Sequence, residues 1–486
     1  MSDSYFEIRK AKLDSYAEKY PPKYPSRFHK THFCGELAAL SDGTSGIGCA
    51  GRIMGLRVMG KLAFGVLQDH TGRAQFALEA NKLTPGEFQF LIKHLDLGDI
   101  VGITGEMFTS KKGERTLSAL SCRLLAKGLR PLPEKWHGLA DQEACARQRY
   151  LDLIVNEETR KRFRIRSKVI RKIRTFLEEA DFLEVETPIL QQAACGASAR
   201  PFVTHHNALD IPLYMRIAPE TYLKRLVVGG YERVFEIGRC FRNEGIDASH
   251  LQEFTSVEWY AAYWNFEDNM KFVMNLIQET VQEISGDMKI IYDGAEIDFS
   301  GQWPIITYRD LIFRDTGVDL DLFRDAESLR EELKRKDIRI DLDSKAGYGK
   351  VVDCLYKQYS RPKLIQPCFL TMHPQDLVPL ARRNDLDSGK LDMFQVLVNG
   401  WELVKAYSEL VDPIEQRERL AGQKKLADDG DDEVMMLEED FILCMEHGMP
   451  PMSGLGLGID RFVALLSGAK NIRDIVFFPS MRPLPP

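Results

Sequence analysis

Between about Ile47 and Leu125 the chain is written as short runs of alternating apolar and polar residues broken by glycines: GRIMGLRVMG, KLAFGVLQDHTGRAQFALEA and GDIVGITGEMFTSKKGERTLSALSCRLLA. A period of two turns one face of each run toward a core, a pattern that suits strands and not helices. Asp69-His70-Thr71-Gly72-Arg73 and a second turn near Lys112-Gly113 supply hairpin corners. The segment therefore predicts a small antiparallel barrel.

Its strand count and length fit the five-stranded oligonucleotide-binding (OB) barrel. Ahead of it, apolar residues recur at helical spacing from Tyr5 to Tyr20, and Pro21, Pro22 and Pro25 stop that helix. Behind it, Pro131 and Pro133 in LRPLPEKWHG read as a stiff linker. A long charged helix from Glu157 to Asp181 then gives way to β-rich stretches such as RVFEIGRCFRNEG and FTSVEWYAAYW. The expected organisation is α+β: a helical arm over 1–45, the barrel over 46–132, and an antiparallel-sheet domain over 133–486 with a helical insertion at about 307–370. The acidic run Asp428 to Glu433 reads as a solvated loop or helix start in preference to a metal site.

With 486 residues, 44% hydrophobic and 28% charged, the chain has ample material for two or three domains. No run of about eighteen apolar residues occurs, and the charged N-terminus lacks an apolar signal region, so no membrane partner and a cytoplasmic location are expected. Nine scattered cysteines without a CxxC pair suggest neither a disulfide framework nor a zinc site. The formal charge of -7 argues against indiscriminate coating of nucleic acid, although a local basic face remains compatible with RNA binding.

Three segments could carry chemistry. Gly454-Leu455-Gly456-Leu457-Gly458 runs into Ile459-Asp460-Arg461, where glycines let a ligand lie on backbone and an arginine meets a phosphate at a helix start. A packed strand–helix corner explains that segment equally well on its own. Phe241-Arg242-Asn243-Glu244-Gly245, with Ser249-His250 and Glu253-Phe254, joins a guanidinium fork, a carboxylate, an imidazole and a ring suited to a nucleobase. Asp181 to Pro188 closes a helix and enters a strand. There is no GxxxxGK[ST] loop, and no βαβ fingerprint surrounds the glycines.

In this order the three segments resemble motifs 1, 2 and 3 of the class II aminoacyl-tRNA synthetases; the HIGH and KMSKS peptides of the other class are absent. The closer resemblance is to the lysyl-tRNA synthetases and spans nearly the whole chain, through GKLAFGVLQDHTGRAQF, GASARPF with THHNALD, RIAPE with YLKRLVVGG, YSELVDPIEQR and GLGLGIDR. It implies a lysine–tRNA ligase that makes lysyl-adenylate from lysine and ATP with Mg²⁺, transfers the lysyl group to tRNA(Lys), and forms a homodimer. The alternative it leaves is a lysine- or tRNA-binding regulatory paralogue with impaired adenylation.

Position by position, the resemblance implies that Arg242 holds the α-phosphate and the lysine carboxylate, with Glu244 beside the adenine amino group and Phe254 stacked on adenine. His250 and Arg461 would meet the distal phosphates. Glu220 and the Gly196 backbone would take the α-amino group, while Glu258, Tyr260 and Glu409 hold the ε-ammonium and Tyr407 and Gly458 complete the lysine set. Two carboxylates and a phenol around one ammonium would reject neutral or shorter side chains. In the barrel, Phe64 and Gln75 would read the anticodon by stacking and base-edge bonding, with Arg57 on a phosphate. A barrel-core ring is the other reading of Phe64. The family's next recognition carboxylate falls on Thr116, with Glu114 two residues away.

Two departures lie near the chemistry. Of the two metal-binding glutamates the family uses, one matches Glu402 and the other falls on Gln395, and an asparagine near the substrate carboxylate is replaced by Lys405. The expectation is that the Lys405 ammonium partly replaces a metal ion and that fewer Mg²⁺ ions bind; the alternative is that Lys405 points away and Gln395 ligates through its carbonyl. Leu251-Gln252, in place of the family's Asn-Pro, is expected to loosen the ATP loop.

Overall fold

The computed structural model describes residues 2–133, 141–343, 346–428 and 435–483. It divides into two compact units, Met1–Ala140 and Asp141–Pro486. The predicted acidic run lies, past Asp428, outside the described residues, as does the linker beyond Pro133.

The first unit opens with α1 (Ser2–Lys19), which buries Leu13 and Tyr16. Five strands follow: β1 (Ile47–Met59), β2 (Leu62–Gln68), β3 (Arg73–Glu79), β4 (Ile100–Thr109) and β5 (Arg115–Ala126), with α2 (Glu87–His94) between β3 and β4. They close into a barrel in the order β1-β2-β3-β5-β4. The long β1 serves two neighbours, pairing with β4 through its first half and with β2 through its second, and a register irregularity between Ile53 and Gly55 turns the corner. Asp69 makes the β2–β3 turn by accepting from the Thr71 amide at 2.8 Å. Inside, Phe76 packs so tightly that a Cβ at Gly65 would come within 2.2 Å of its ring. Burying a side chain of that size is worth about 1.5–3 kcal/mol, so Gly65→Ala strikes at the centre of the barrel.

In the second unit α3 (Gln142–Arg147) and α4 (Arg149–Val155) lead into α5 (Glu157–Glu179), whose buried Phe163, Val169, Ile173 and Leu177 form one stripe. The edge strand β6 (Leu183–Glu184) and a small sheet of β7 (Leu190–Gln191), β8 (Val203–His206) and β9 (Ile211–Met215) precede α6 (Glu220–Val228). The antiparallel pair β10 (Arg233–Phe241) and β11 (Glu253–Ala262) comes next, then α7 (Phe266–Ser285), the ribbon β12 (Lys289–Tyr292) and β13 (Ala295–Asp298), and β14 (Ile305–Thr307). A helical block, α8 (Tyr308–Thr316), α9 (Ala326–Arg335) and α10 (Tyr348–Tyr359), separates β14 from β15 (Cys368–Thr371), which pair in parallel. The chain continues with β16 (Met393–Val398), β17 (Trp401–Ser408), α11 (Pro413–Asp428), α12 (Glu439–Glu446), β18 (Met452–Gly458) and α13 (Ile459–Ser467).

The large sheet runs β14-β15-β16-β17-β18-β11-β10-β6, antiparallel in the middle and parallel at both edges. Alternation along its strands decides what each face does. Val257, Trp259 and Ala261 of β11, Val404 and Ala406 of β17, and Leu455 and Leu457 of β18 bury against α5, α7 and α13. The intervening residues, Glu258 and Tyr260, Lys405 and Tyr407, and the three glycines of β18, therefore look the other way, and that face carries the site.

Candidate active site

Cross-strand register sets the site out in rows. Gln395, Lys405, Gly456, Glu258 and Glu236 are successive partners across β16, β17, β18, β11 and β10. Met393, Tyr407, Gly454, Tyr260 and Val234 form the next row. The G-x-G-x-G spacing is thus a strand's period: Gly454, Gly456 and Gly458 all fall on the site face and leave bare backbone there. A Cβ at Gly454 would lie 2.2 Å from the Tyr260 ring and 2.4 Å from Glu409 Oε1.

At one end the acidic residues converge. Glu220, the first residue of α6, is buried and accepts from the Tyr407 hydroxyl at 2.8 and 2.9 Å. Glu409, just past β17, is 2% exposed and forms an ion pair with the buried Lys224. Burial, reinforced by Glu220, pushes Glu409 up to about 8, and it does the same to Glu258, which keeps some contact with solvent. Gly196, at φ +92°, brings its backbone beside Glu220, where an added Cβ would sit 3.2 Å from the Glu220 Cβ.

At the other end the groups are basic. Arg242 follows β10, and its guanidinium lies 5.0 Å from the centroid of the Phe254 ring. Arg461, in the first turn of α13, donates to the Glu402 backbone carbonyl at 2.9 Å and meets His250 Nε2 at 2.9 Å. His250 Nδ1 in turn contacts Asp247 at 2.8 Å. Gln252 accepts from the Arg242 amide at 2.8 Å, and its side chain donates to the Glu244 carbonyl at 2.8 Å. The expectation that Leu251-Gln252 loosens this loop is therefore corrected: Leu251 is buried in the main core and Gln252 ties the end of the loop back to its start at Arg242 and Glu244.

Glu402 and Lys405 are three residues apart, which in a regular strand would send them to opposite faces. An irregularity in the β16–β17 pairing makes Leu403 an extra residue and realigns them. Gln395 Nε2 donates to Glu402 Oε2 at 2.6 Å, and Gln395 Oε1 contacts His373 Nε2 at 3.2 Å. Gln395 thus turns an N–H, not a lone pair, toward Glu402. Burial pushes the Glu402 carboxyl up, but Arg461 and Lys405 outweigh it and hold it below the usual carboxylate range. Burial drives His373 down to about 4, so it stays neutral and its Nε2 proton serves Gln395. Among the described residues no cluster of three or more His, Cys, Asp and Glu side chains has metal-binding geometry.

In the barrel, Arg57 pairs with Phe64 across β1 and β2, and Val66 pairs with Gln75 across β2 and β3, so Arg57, Phe64 and Gln75 share one outward face. Phe64 is half-buried and stands apart from the barrel core. Gln75 Nε2 donates to Thr116 at 2.8 Å, Thr116 is buried, and Glu114 is exposed.

Residues 141–482 match the model of the class II tRNA synthetases (D, K and N), and residues 49–125 match that of the OB-fold nucleic acid binding domain. The lysine–tRNA ligase of Pelotomaculum thermopropionicum is 44% identical over 98% of this chain and 94% of its own length. The chain belongs to the lysine–tRNA ligase family. That of Thermosipho africanus is 42% identical over 100% of this chain and 97% of its own, and that of Shigella flexneri 43% over 95% and 93%. Family membership accounts for the α+β architecture, with a barrel followed by an antiparallel synthetase sheet.

Sequence reasoning passed over three residues that the site contains. Asp247 orients His250, and His373 orients Gln395. Lys224 lies fully buried among the acidic groups. Its one local signal is the i,i+4 spacing from Glu220, which on a surface helix would mean little.

Proposed function

We propose that this chain is an ATP-dependent lysine–tRNA ligase that works through the residues above. The substrate carboxylate attacks the α-phosphorus of ATP, the α–β bridging P–O bond breaks, and pyrophosphate leaves. The lysyl group then passes from the adenylate to the terminal adenosine of tRNA(Lys), and AMP departs. Neither step needs a protein nucleophile; orientation and charge neutralisation suffice. The observation that carries the reading is the polarity of the sheet face, with Glu220, Glu258 and Glu409 gathered at one end and Arg242 and Arg461 at the other.

In this reading Arg242 holds the α-phosphate and the lysine carboxylate, Phe254 and Glu244 take the adenine, and His250 and Arg461 hold the distal phosphates. Glu220 and Gly196 bind the α-amino group; Glu258, Tyr260 and Glu409 grip the ε-ammonium, with Tyr407 and Gly458 beside them. The donor set near the phosphates fits Mg²⁺ only through Glu402, since Gln395 presents an N–H toward it; Glu402 would hold such an ion, which would neutralise charge on the triphosphate. Lys405 supplies further positive charge against the α-phosphate or the lysine carboxylate, so fewer Mg²⁺ ions are needed.

Arg57, Phe64 and Gln75 form the anticodon-reading face of the barrel. A homodimer is supported by exposed apolar side chains: Leu183 on the edge strand β6 of the large sheet, and Ile189 and Leu190 at the edge strand β7 of the small one. Work in the cytoplasm is consistent with the absence, among the described residues, of any helix long and apolar enough to cross a membrane. No observation favours the regulatory alternative. Charging of tRNA(Lys) with radiolabelled lysine and ATP tests the reading: lysyl-tRNA is expected, and its absence with a folded protein would refute it.

A further inference from the structure

Lys224 is an anomaly in a site built to bind lysine. Its ammonium is completely enclosed, lies 2.6 Å from Glu220 Oε1 and forms a second ion pair with Glu409 Oε2. The rings of Tyr260, Tyr407 and Phe441 surround it, each centroid 5.8 Å away. The enzyme thus keeps an ammonium of its own between the two carboxylates assigned to opposite ends of the substrate.

A buried charge is tolerated only when it is compensated. Here the compensation runs both ways. Burial works against the Lys224 charge, yet Glu220 and Glu409 outweigh it and hold its pKa above the ordinary lysine value. For Glu409 the largest influence is burial, which favours the proton, and Lys224 is the chief influence opposing it. Glu220 adds like charge from α6, and Glu258 and Tyr260 face the same space from β11. Tyr407 enters from β17, Cys195 lies within reach of the Lys224 charge, and Arg242 and Arg216 act on Glu258. Lys224 is the one cation in ion-pair contact with both Glu220 and Glu409 among the described residues.

We propose that Lys224 is a positioning residue for lysine recognition: its buried ammonium, in ion-pair contact with both Glu220 and Glu409, fixes the two carboxylates and sets the spacing between the α-amino and ε-amino subsites. This rests on the ligase reading and deepens it. Without that ammonium the two buried carboxylates would lose the shared partner that holds them apart and aimed at the substrate. The selectivity of the pocket thus depends on a side chain of the same chemistry as its substrate.

The test is lysine-dependent pyrophosphate–ATP exchange by the full-length enzyme and by Lys224→Met and Lys224→Gln. Losing the charge-assisted contacts that fix both carboxylates should raise the lysine KM at least about tenfold in both variants. The ATP KM should stay near wild type. Lys224→Gln keeps an N–H donor of similar length without the charge and carries the test if Lys224→Met does not fold. Near-normal lysine KM in Lys224→Gln, an equal rise in both KM values, or failure of both variants to fold would overturn the proposal. If the wild-type enzyme itself shows no lysine-dependent exchange, the ligase reading fails first.

Discussion

Arg461 meets His250 Nε2 at 2.9 Å, and because a guanidinium can only donate, that nitrogen is bare and the ring proton sits on Nδ1 facing Asp247. Asp247, His250 and Arg461 therefore form a chain that aims the arginine before any nucleotide arrives. His250→Ala removes one hydrogen bond from that chain. It is expected to raise the ATP KM about tenfold while leaving the lysine KM near wild type, as read by pyrophosphate exchange. Equal effects on both substrates would contradict this.

Glu258 and Glu409, both pushed up to about 8, tie stability to pH. A carboxyl whose folded pKa exceeds its unfolded value binds its proton more tightly when folded. Its contribution to stability is fully present at low pH and is lost as pH rises through the folded value. Between about pH 5 and pH 8 the ligand-free protein should therefore lose more stability than Glu258→Gln, and added lysine should restore more at pH 8 than at pH 6. Thermal unfolding of both proteins with and without lysine measures this, and parallel pH profiles would contradict it.

Lys405 and Gln395 bear on metal demand. Lys405→Asn is expected to raise the Mg²⁺ concentration needed for half-maximal exchange. Adding Gln395→Glu, which gives Glu402 a second carboxylate neighbour, should make that dependence steeper. Unchanged activity and Mg²⁺ dependence in Lys405→Asn would remove the ammonium from the account.

In the barrel, stacking on a ring is worth about 1–3 kcal/mol per base, so Phe64→Ala should raise the tRNA KM in charging about 5- to 150-fold. Lysine-dependent exchange, which involves no tRNA, should not change. A parallel fall in exchange would mean that the substitution damages the fold.

The barrel and the acidic pocket differ in how far they can be read from sequence. Alternation and the Asp69 turn are local, and they suffice for a closed five-stranded sheet. The β18 glycines become meaningful only through period two, which places all three on one face. The pairing irregularity at Leu403, which brings Glu402 and Lys405 to the same side, leaves no local trace because it depends on how β16 and β17 align. Lys224 is hidden for a related reason: a lysine four residues from a glutamate in a helix looks like an exposed pair until tertiary packing buries it. The clasp by Gln252 likewise needs the returning strand to exist.

The central claim is that Glu220, Glu258 and Glu409 select an amino acid with a distal ammonium. Pyrophosphate–ATP exchange measured with lysine, arginine, norleucine, asparagine and aspartate in parallel tests it most directly. The account predicts exchange with lysine and none above background with norleucine, asparagine or aspartate; exchange supported equally well by asparagine or aspartate would contradict it.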